Sequence, residues 1–548
     1  MPNWTPNQLS AIQARNPSLL IAAAAGSGKT AVLVERIVSL LREGYTMDRM
    51  MIVTFTRAAA AEMRERLTKR LTQEAQRDPD VFGQSLDDLD QTDISTIHSF
   101  CQKVIRSEFQ AVNVDPLARV AEEQQGERLF RQSYRDALCQ LLEEHHPQVT
   151  QLASSLSQDK MFDMVQYAYK FLMSMPDPFQ WLKFHVEHAD DSPENAPWYH
   201  MLQHHARLEL HTLKPCMDRM RWLLDEPGGV AAYQKLWESD MQSVNSLLEQ
   251  MNYSGADLPA LLTGFSLCRA PSVKNQSLEE EAWLKTYQKQ RNRVKKKVKD
   301  LADQLSFSRE GFQRDMVAVK ANLEGLLALL ETLYQVFRQE KRKLGLLDFN
   351  DLEQFTLEIL RQPELRQRLQ DGYDHLFVDE CQDVSAIQDE IIQLLHVKHP
   401  DRSDHVSPSL FMVGDVKQSI YRFRLADPTR FLSRMRTWGK EEAAAERAIF
   451  LQQNFRSASS VLEGVNQVFR QVMVKDAAEL DYLPEDELVP GASYEETPPV
   501  EVHLIHQKLL DAEEGMEKLT AQVEVVVSRL ARLLGSPVQE GDATRPLT

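Results

Sequence analysis

Residues 18–30 carry the sequence SLLIAAAAGSGKT, in which an apolar run leads into a turn of small residues that ends in Lys29 and Thr30. The run predicts a buried strand, and the residues after it have helical periodicity. A strand, a glycine-containing loop and a helix in this order are typical of a phosphate-binding loop. Its backbone N–H groups would cradle an anion while Lys29 reaches the β- and γ-phosphates and Thr30 holds Mg²⁺.

The predicted phosphate loop departs from the general pattern at one position, because Ala23 stands where a first glycine is usual. One small residue replaces another there, and the Gly-Lys-Thr end is intact. The alternative is an ordinary glycine-rich turn before a helix, and the near-complete pattern favours the phosphate loop. The phosphate-binding residues are predicted to be Ala23, Ala24, Ala25, Gly26, Ser27, Gly28, Lys29 and Thr30.

Short apolar runs alternate with helical stretches around this loop, which is typical of a parallel α/β sheet. Strands are predicted over 18–22, 50–55, 375–379 and 409–414, and helices over 30–42 and 58–71. From about 116 to 345 the sequence changes to long amphipathic helices with little strand signal. We therefore expect an α/β domain that is split by a large, mainly helical insertion.

The C-terminal part of the sequence predicts less structure. A short helix is expected over 459–472, an acidic, proline-containing linker or mobile surface segment over 476–499, a strand over 500–505 and one helix to about residue 534. This is too little to close another domain. The expectation is that the chain is an incomplete protein.

Composition limits the protein class. With 548 residues and 43% hydrophobic residues, the chain is long and apolar enough for several domains, which excludes a disordered or collagen-like chain. Its 63 Lys and Arg against 81 Asp and Glu give a net charge of -18, which argues against a broad basic surface for nucleic acid.

Cysteine usage and the N-terminus point to a compartment. The five cysteines, at positions 101, 139, 216, 268 and 381, include no CxxC pair, so neither a disulfide framework nor a cysteine-based zinc site is indicated. The N-terminus lacks a signal-peptide pattern, and no run of about 18 apolar residues occurs. A soluble, cytoplasmic protein with no membrane partner is predicted.

A second chemical motif follows the predicted strand at 375–379, in the sequence LFVDECQD over 376–383. Asp379 would lie near a Mg²⁺ ion held through Thr30, and Glu380 could activate an attacking water. An isolated Asp-Glu pair is usually solvated surface. A catalytic role is favoured here because the pair ends a buried-type strand in a chain with a phosphate loop.

Several segments together resemble motifs of UvrD-like superfamily 1 DNA helicases. They are TFTRAAAAEM over 54–63, STIHSF over 95–100, VDECQD over 378–383, VGDVKQSIYRFR over 413–424 and NFRS over 454–457. The likeness is greatest to the AddA subunits of bacterial AddAB helicase-nucleases, especially in KQSIYRFRLADP over 417–428 and LLDFNDL over 346–352. It extends to about residue 460.

The resemblance implies a P-loop NTPase with a RecA-like parallel sheet. Its first motor domain would comprise residues 1–115 and 346–458, separated by a helical insertion domain over 116–345. Residues 459–548 would be a linker and the beginning of an incomplete second RecA-like motor domain. The resemblance also implies an ATP-dependent 3′→5′ DNA helicase or translocase that acts in double-strand break repair and recombination.

Roles in the ATP site follow from the same resemblance. Gln8 would read the adenine edge, Phe455 would stack on adenine, and Gln418 would sense the γ-phosphate. Arg456 would act as an arginine finger. The implied catalytic residues are Lys29, Asp379, Glu380, Gln418 and Arg456, with Thr30 and Asp379 holding Mg²⁺.

A nucleic-acid face is implied by aromatic and hydroxyl residues of the same motifs. By motif position, Phe55, Tyr421 and Phe423 would stack on bases of a single strand, although burial is the commoner fate of any one aromatic residue. Arg424 would link the strand to the nucleotide site. Hydrogen bonds to phosphates would come from Thr54, Thr56, Arg57, Thr96 and His98. Such a narrow channel is compatible with the acidic net charge.

Two patterns in the predicted insertion, a basic run and a pair of histidines, each have two interpretations. The basic run over 285–299 would contact duplex DNA ahead of a fork or be a solvated helix face. His200 and His204 are four residues apart, but no matched ligand spacing accompanies them, so surface histidines are favoured over a zinc site.

The sequence also departs from the family. Cys381 replaces a bulky residue beside Glu380, and no later motor motif or nuclease carboxylate cluster follows residue 460. We therefore expect the parent protein to bind single-stranded and duplex DNA and an AddB-like nuclease subunit, whereas this chain alone should have weak activity. Two alternatives stay open: a DNA-independent P-loop ATPase or kinase, and a DNA-binding scaffold with a degenerate ATP site.

Overall fold

The structure is a computed structural model that describes residues 4–189, 197–253, 256–273, 277–306, 309–396, 407–422, 425–478, 480–494, 500–504, 518–534, 537–540 and 543–546. Contacts divide the chain into two compact units. One comprises Met1–Ala22 and Thr30–Ile449, and the other Ala23–Lys29 and Phe450–Thr548. Among the described helices, none combines the length and apolar character needed to span a bilayer.

A six-stranded sheet with the order β3-β2-β6-β7-β1-β8 is the centre of the α/β fold. Its strands are β1 (Ser18–Ala23), β2 (Met50–Thr54), β3 (Asp93–Thr96), β6 (His375–Val378), β7 (Ser409–Gly414) and β8 (Glu446–Leu451), with a separate parallel pair formed by β4 (Arg119–Val120) and β5 (Leu346–Leu347). The pairs β1–β7, β7–β6, β6–β2 and β2–β3 are parallel. The predicted α/β fold with a parallel sheet is confirmed.

The helices beside the sheet begin where the sequence supplies caps. Thr56 accepts a hydrogen bond from the Ala59 N–H at the start of α3, and Thr96 does the same for Ser99 at α5. These helices are α1 (Pro6–Gln13), α2 (Lys29–Arg42), α3 (Arg57–Ala75), α4 (Pro79–Asp88), α5 (Ile97–Ser107), α16 (Phe349–Leu360), α17 (Pro363–Gln370), α18 (Ala386–His396) and α19 (Pro428–Thr437).

Within the described residues, ten helices lie between β4 and β5, where the sequence predicts a helical insertion. They are α6 (Glu123–Glu143), α7 (Pro147–Ser155), α8 (Gln158–Met173), α9 (Pro178–Glu187), α10 (Pro197–His211), α11 (Leu213–Leu224), α12 (Ala232–Met251), α13 (Leu258–Gly264), α14 (Leu278–Leu305) and α15 (Arg309–Lys343). They form two hydrophobic clusters. One joins α6–α9 to α15 around Phe130 and Phe337, and the other joins α10–α14 around Tyr233 and Tyr287.

The basic run over 285–299 lies on α14 and is partly structural. Arg291 is buried, and its Nε lies 2.6 Å from the Oδ2 atom of the fully buried Asp240. Lys297 lies 2.5 Å from Glu209. His200 and His204 lie on α10, and no group of three His, Cys, Asp or Glu side chains suited to a metal ion occurs in the part of the chain that the structure describes.

Part of the segment predicted as a linker or mobile surface segment, residues 480–494, makes contacts within the second unit. Strand β9 (Gln453–Asn454) pairs in parallel with β10 (Val489–Pro490), and α20 (Ser459–Val472) and the short α21 (Lys475–Ala478) lie between them in sequence. Asn466 exchanges hydrogen bonds of 3.0 Å with the backbone of Leu488. Residues in 480–494 therefore contact β9 and α20, while 495–499 lie outside the described residues, and the linker stays a prediction.

The strand predicted over 500–505 is wrong for residues 500–504, which have no regular secondary structure. Residue 505 lies outside the described ranges. The predicted helix that follows is α22 (Lys518–Leu533). Two further strands, β11 (Pro537–Glu540) and β12 (Ala543–Pro546), pair as an antiparallel hairpin that the sequence pattern did not indicate.

Candidate nucleotide site and nucleic-acid face

The phosphate loop follows β1 and leads into α2 at Lys29. Gly26 and Gly28 have φ values of 69° and 81°, a left-handed conformation that favours glycine, so the glycines of GSGKT are needed by the backbone. Lys29 and Thr30 are half-buried. Loop and helix therefore have the local form that a phosphate site requires.

Asn454 braces the phosphate loop within the second unit, a role that the sequence alone did not reveal. Its Nδ2 donates to the Ala25 carbonyl at 2.7 Å, and the Phe455 N–H donates to the Gly26 carbonyl at 2.9 Å. A Cβ atom on Gly26 would lie 2.7 Å from the Asn454 amide. The one hint in the sequence was the NFRS motif, whose first residue is a polar side chain that the structure shows to be buried.

The same Asn454 shapes the turn that carries the predicted base-stacking residue and arginine finger. Its Oδ1 accepts hydrogen bonds of 2.8 Å from the N–H groups of Arg456 and Ser457. Tyr494 donates its hydroxyl to the Arg456 carbonyl at 2.8 Å. Phe455 is 38% exposed and Arg456 is exposed, so both side chains are accessible to a ligand.

The carboxylate pair lies at the end of the fully buried strand β6. The Asp379 N–H donates to the Val53 carbonyl at 2.9 Å, which fixes the backbone where the strand ends. Glu380 has a φ of 51°, a left-handed conformation that is uncommon outside glycine, and its N–H donates to Asp379 Oδ1 at 3.0 Å. Cys381 is buried.

Two further residues connect Glu380 to Gln418, and neither has a role that the motifs predict. Gln382 donates to Glu380 Oε2 at 2.9 Å and accepts from the Asp415 N–H at 2.9 Å. The Asp415 carboxylate in turn accepts from Gln418 Nε2 at 2.8 Å. In the sequence, the hint of this connection was limited to the polar residues of VDECQD (378–383) and GDVKQ (414–418).

Gln8 is the third residue of α1 and forms a capping box with Thr5. The Thr5 N–H donates to Gln8 Oε1 at 3.0 Å, and the Gln8 N–H donates to the Thr5 hydroxyl at 3.2 Å. The other end of the helix is fastened by the buried Arg36, whose Nη1 donates to the Ala11 carbonyl at 2.9 Å. The helix that would present Gln8 is therefore held at both ends.

The aromatic residues of the predicted nucleic-acid face are partly brought together. The rings of Phe55 and Tyr421 have centroids 4.4 Å apart and planes inclined by 40°. Both side chains are half-buried. Phe423 and Arg424 lie outside the described residues.

The predicted phosphate-binding hydroxyls are used in different ways. Thr54 is 2% exposed and donates to the Thr56 carbonyl, while Thr56 and Thr96 cap helices. Arg57 is exposed. Arg57 and Thr96 both line an open groove of about 550 Å³ between α3 and α5. The groove therefore brings a cation and hydroxyls to one surface.

His98 is oriented by groups that the motifs do not single out. Its Nε2 lies 3.1 Å from Oε1 of the buried Glu353, which also accepts from Gln388 at 2.6 Å. The ring of Phe349 meets the His98 ring edge-on at 5.1 Å, and the Phe349 side chain is 56% exposed. An exposed aromatic ring therefore accompanies the predicted phosphate contact.

The donors proposed for Mg²⁺ fit that ion by their chemistry. Hydroxyl and carboxylate oxygens are its usual ligands, and Thr30 and Asp379 supply one of each. Both residues are half-buried and follow buried strands of the sheet. The residues present therefore suit a hard cation bound together with phosphate oxygens.

Three proteins, each named as the A subunit of an ATP-dependent helicase/nuclease, are similar to this chain. The relative from Alkaliphilus metalliredigens is 34% identical over 98% of this chain and 46% of its own length. The one from Syntrophomonas wolfei is 34% identical, with coverages of 90% and 40%, and the one from Bacillus pumilus 32%, with coverages of 100% and 46%.

The chain therefore spans less than half the length of these curated relatives. Residues 4–438 match the UvrD/REP helicase N-terminal domain, which is most of the chain and includes the phosphate loop, the carboxylate pair and Gln418. The predicted resemblance is confirmed, and the chain belongs to the UvrD/REP helicase family.

Proposed function

We propose that this chain contains the ATP-hydrolysing motor of an AddAB-type helicase-nuclease, which translocates 3′→5′ on DNA in double-strand break repair and recombination. The observation that carries the proposal is the order of the sheet. Neighbouring parallel strands β1, β7 and β6 are followed in the chain by the phosphate loop, by Gln418 and by the carboxylate pair. Ligand sites of parallel sheets form at the carboxyl ends of such strands.

Each nucleotide-site residue has a proposed task that suits its chemistry. Lys29 and Arg456 would neutralise charge on the transferred phosphoryl group, and Glu380 would accept a proton from the attacking water. Thr30 and Asp379 would hold Mg²⁺, which shields phosphate charge when bound. Gln8 and Phe455 would contact the adenine, and Gln418 would respond to the γ-phosphate.

DNA would be held by stacking and by hydrogen bonds to its backbone. The contacting Phe55 and Tyr421 rings, with Phe423, would provide the stacking surface. Arg57, Thr96 and His98 would contact phosphates, and Arg424 would connect the strand with the nucleotide site. Thr54 and Thr56 are also proposed to contribute, although their hydroxyls make internal hydrogen bonds here.

The proposed partner is an AddB-like nuclease subunit, because the relatives are named as one lettered subunit of a helicase/nuclease, which implies another. We also propose the domain boundaries given by the resemblance, namely 1–115 with 346–458 for the first motor domain, 116–345 for the insertion and 459–548 for a linker and the beginning of the second motor domain. A reducing, cytoplasmic setting remains a prediction from the scattered cysteines.

ATP turnover by the intact protein tests the function. We expect single-stranded DNA to increase the ATPase rate, and Lys29→Ala and Glu380→Gln each to abolish the stimulated rate. Partial duplexes with a 3′ or a 5′ single-stranded tail test polarity, and only the 3′-tailed duplex is expected to be unwound. Unwinding of only the 5′-tailed duplex would contradict the polarity.

Two other functions predict different outcomes of the same assay. A DNA-independent ATPase or kinase would turn over ATP at one rate with and without DNA. A DNA-binding scaffold would bind DNA without ATP turnover, and Lys29→Ala would change nothing. The carboxylate pair, Gln418 and the braced phosphate loop favour ATP hydrolysis over a scaffold, since a scaffold needs none of them.

A further inference from the structure

Gln382 is a buried amide between the carboxylate pair and the segment after β7. It belongs to the 3-10 turn Cys381–Asp383 and is 1% exposed. Its Nε2 donates to Glu380 Oε2 at 2.9 Å and to Asp383 Oδ2 at 3.1 Å. The amide nitrogen therefore uses both of its hydrogens on carboxylates.

The carbonyl side of the same amide is bound to the neighbouring segment. Gln382 Oε1 accepts from the Asp415 N–H at 2.9 Å. A Cβ atom on Gly414 would lie 2.5 Å from this oxygen, so a larger residue at 414 would displace the amide. The position of Gln382 is thus set by the end of β7.

Asp415 extends the connection to Gln418. The residue is 4% exposed, and its Oδ2 accepts from Gln418 Nε2 at 2.8 Å. Its Oδ1 accepts from the Lys417 N–H at 3.2 Å and lies 3.0 Å from Lys417 Nζ. A continuous chain of hydrogen bonds therefore runs from Gln418 through Asp415 and Gln382 to Glu380.

The backbone conformation at Glu380 requires support of the kind that these hydrogen bonds give. Residues other than glycine seldom adopt a φ of 51°, and they keep such a conformation only where surrounding contacts enforce it. The Gln382 amide and the Asp379 carboxylate both bond Glu380, to its side chain and its N–H respectively. Loss of the amide would remove one of the contacts that hold the carboxylate in its present direction.

We propose that Gln382 is a positioning residue that fixes the Glu380 carboxylate and, through Asp415, links its direction to the position of Gln418. The inference rests on the proposed function, in which Glu380 and Gln418 both act at the reacting phosphate. When Gln418 shifts, the 415–418 turn moves with it, and the Asp415 N–H carries the movement to Gln382. Water activation would thereby depend on the same segment that contacts the DNA-facing residues.

The test compares Gln382→Leu and Asp415→Ala with wild type in the intact protein, with and without saturating single-stranded DNA. Gln382→Leu removes the donor and the acceptor at similar volume. We expect kcat to fall by about 10²-fold, the typical cost of a misplaced group, with KM for ATP changed less than about twofold because the phosphate loop is untouched. Stimulation by DNA should fall in both variants.

Gln370→Leu is the matched control. Gln370 is equally buried, at 1% exposed, and its Nε2 donates to the Leu394 carbonyl at 2.9 Å, away from the carboxylate pair. It should lower thermal stability as Gln382→Leu does and leave kcat within about twofold of wild type. An equal fall of kcat in Gln370→Leu would show that a general loss of packing, not positioning, explains the result.

The double variant tests whether Gln382 and Asp415 act through the same hydrogen-bonded connection. Gln382→Leu with Asp415→Ala should be no slower than the slower single variant, since either change breaks the same connection. Effects that multiply would overturn the link. A wild-type protein without ATPase activity would refute the proposed function, whereas an active wild type with an unchanged Gln382→Leu would refute only the positioning role.

Discussion

Asn454 Nδ2 lies 2.7 Å from the carbonyl oxygen of Ala25, and this hydrogen bond joins two residues that are 429 positions apart in the chain. The same side chain accepts the N–H groups of Arg456 and Ser457. One buried amide thus holds the phosphate loop and the turn of the predicted arginine finger in a common frame. The frame lies entirely within the second unit.

Replacing Asn454 with Ala should weaken nucleotide binding about tenfold. The substitution removes the hydrogen bond to the Ala25 carbonyl of the phosphate loop, which is typically worth about 1 kcal/mol, close to the 1.4 kcal/mol of a tenfold change. Titration with a fluorescent ATP analogue measures the effect.

Asn466→Ala is the control for this prediction. Asn466 is also a buried amide of the second unit, and it bonds Leu488 and Tyr482 instead of the phosphate loop. Both variants should lose similar thermal stability, but only Asn454→Ala should bind nucleotide less tightly. Equal nucleotide affinities in the two variants would show that Asn454 does not support the nucleotide site.

Gly26→Ala should reduce nucleotide affinity by more than about tenfold. The new methyl group would meet the Asn454 amide at 2.7 Å, and the φ of 69° is strained for alanine by about 1–3 kcal/mol. Gly44→Ala separates the two effects, because Gly44 has a φ of 95° with no atom within 4 Å of an added Cβ. It should show the strain in thermal denaturation and bind nucleotide normally; weakened binding there would argue against the contact with Asn454.

The main strands of the sheet could be predicted because they are continuous buried apolar runs between turn signals. Strand β7 was predicted over its full length, 409–414, and β1 to within one residue at its end. Parallel strands covered on both faces give such runs, and the phosphate-loop motif fixed the order of strand and helix.

The supports of the site could not be predicted in the same way. Asn454 and Gln382 act through partners that are distant in sequence, and a local pattern does not show which carbonyl or carboxylate a buried amide will meet. The strand expected at 500–505 failed for a related reason. Its valine residues have β-propensity, but a strand requires pairing, and Val502 and Leu504 are 79% and 92% exposed.

Arg36→Met should lower the free energy of unfolding by about 3 kcal/mol and loosen α1. The buried Arg36 guanidinium donates to carbonyls at the end of that helix, including Ala14 at 2.5 Å, and lies 4.7 Å from the centre of the Phe411 ring. Its loss leaves buried carbonyls without donors and removes a cation–π contact. Hydrogen exchange over 6–13 should accelerate in the same variant.

Arg15→Met is the comparison for Arg36. Arg15 donates to the Ile12 carbonyl at 2.8 Å and binds Glu43, but its side chain is 30% exposed, so water can replace these contacts. We expect a loss below about 1 kcal/mol. If the two variants were equally unstable, burial of the Arg36 guanidinium would not explain its effect.

Protonation of His375 should make the folded protein less stable at low pH. Burial at the start of β6 and the nearby charge of Arg36 lower the pKa of His375 to about 4, while Asp374 opposes the shift. The side chain is 6% exposed, accepts or donates a hydrogen bond with Ser409 and meets the Tyr45 ring edge-on at 4.4 Å. The imidazole is therefore neutral in the folded protein at neutral pH.

The direction of the pH effect follows from proton binding. Between pH 4 and 6.5 the unfolded chain, with an ordinary histidine pKa, binds more protons than the folded chain. The free energy of unfolding therefore rises with pH over this range, and the contribution of His375 is fully present above pH 6.5. The shift corresponds to about 3 kcal/mol, lost as the pH falls from 6.5 towards 4. Denaturant unfolding of wild type and His375→Phe across this range measures it. The difference in unfolding free energy between the two should change by that amount in favour of the variant at low pH, because phenylalanine cannot take up a proton; a constant difference from pH 4 to 7 would exclude His375 as the titrating group.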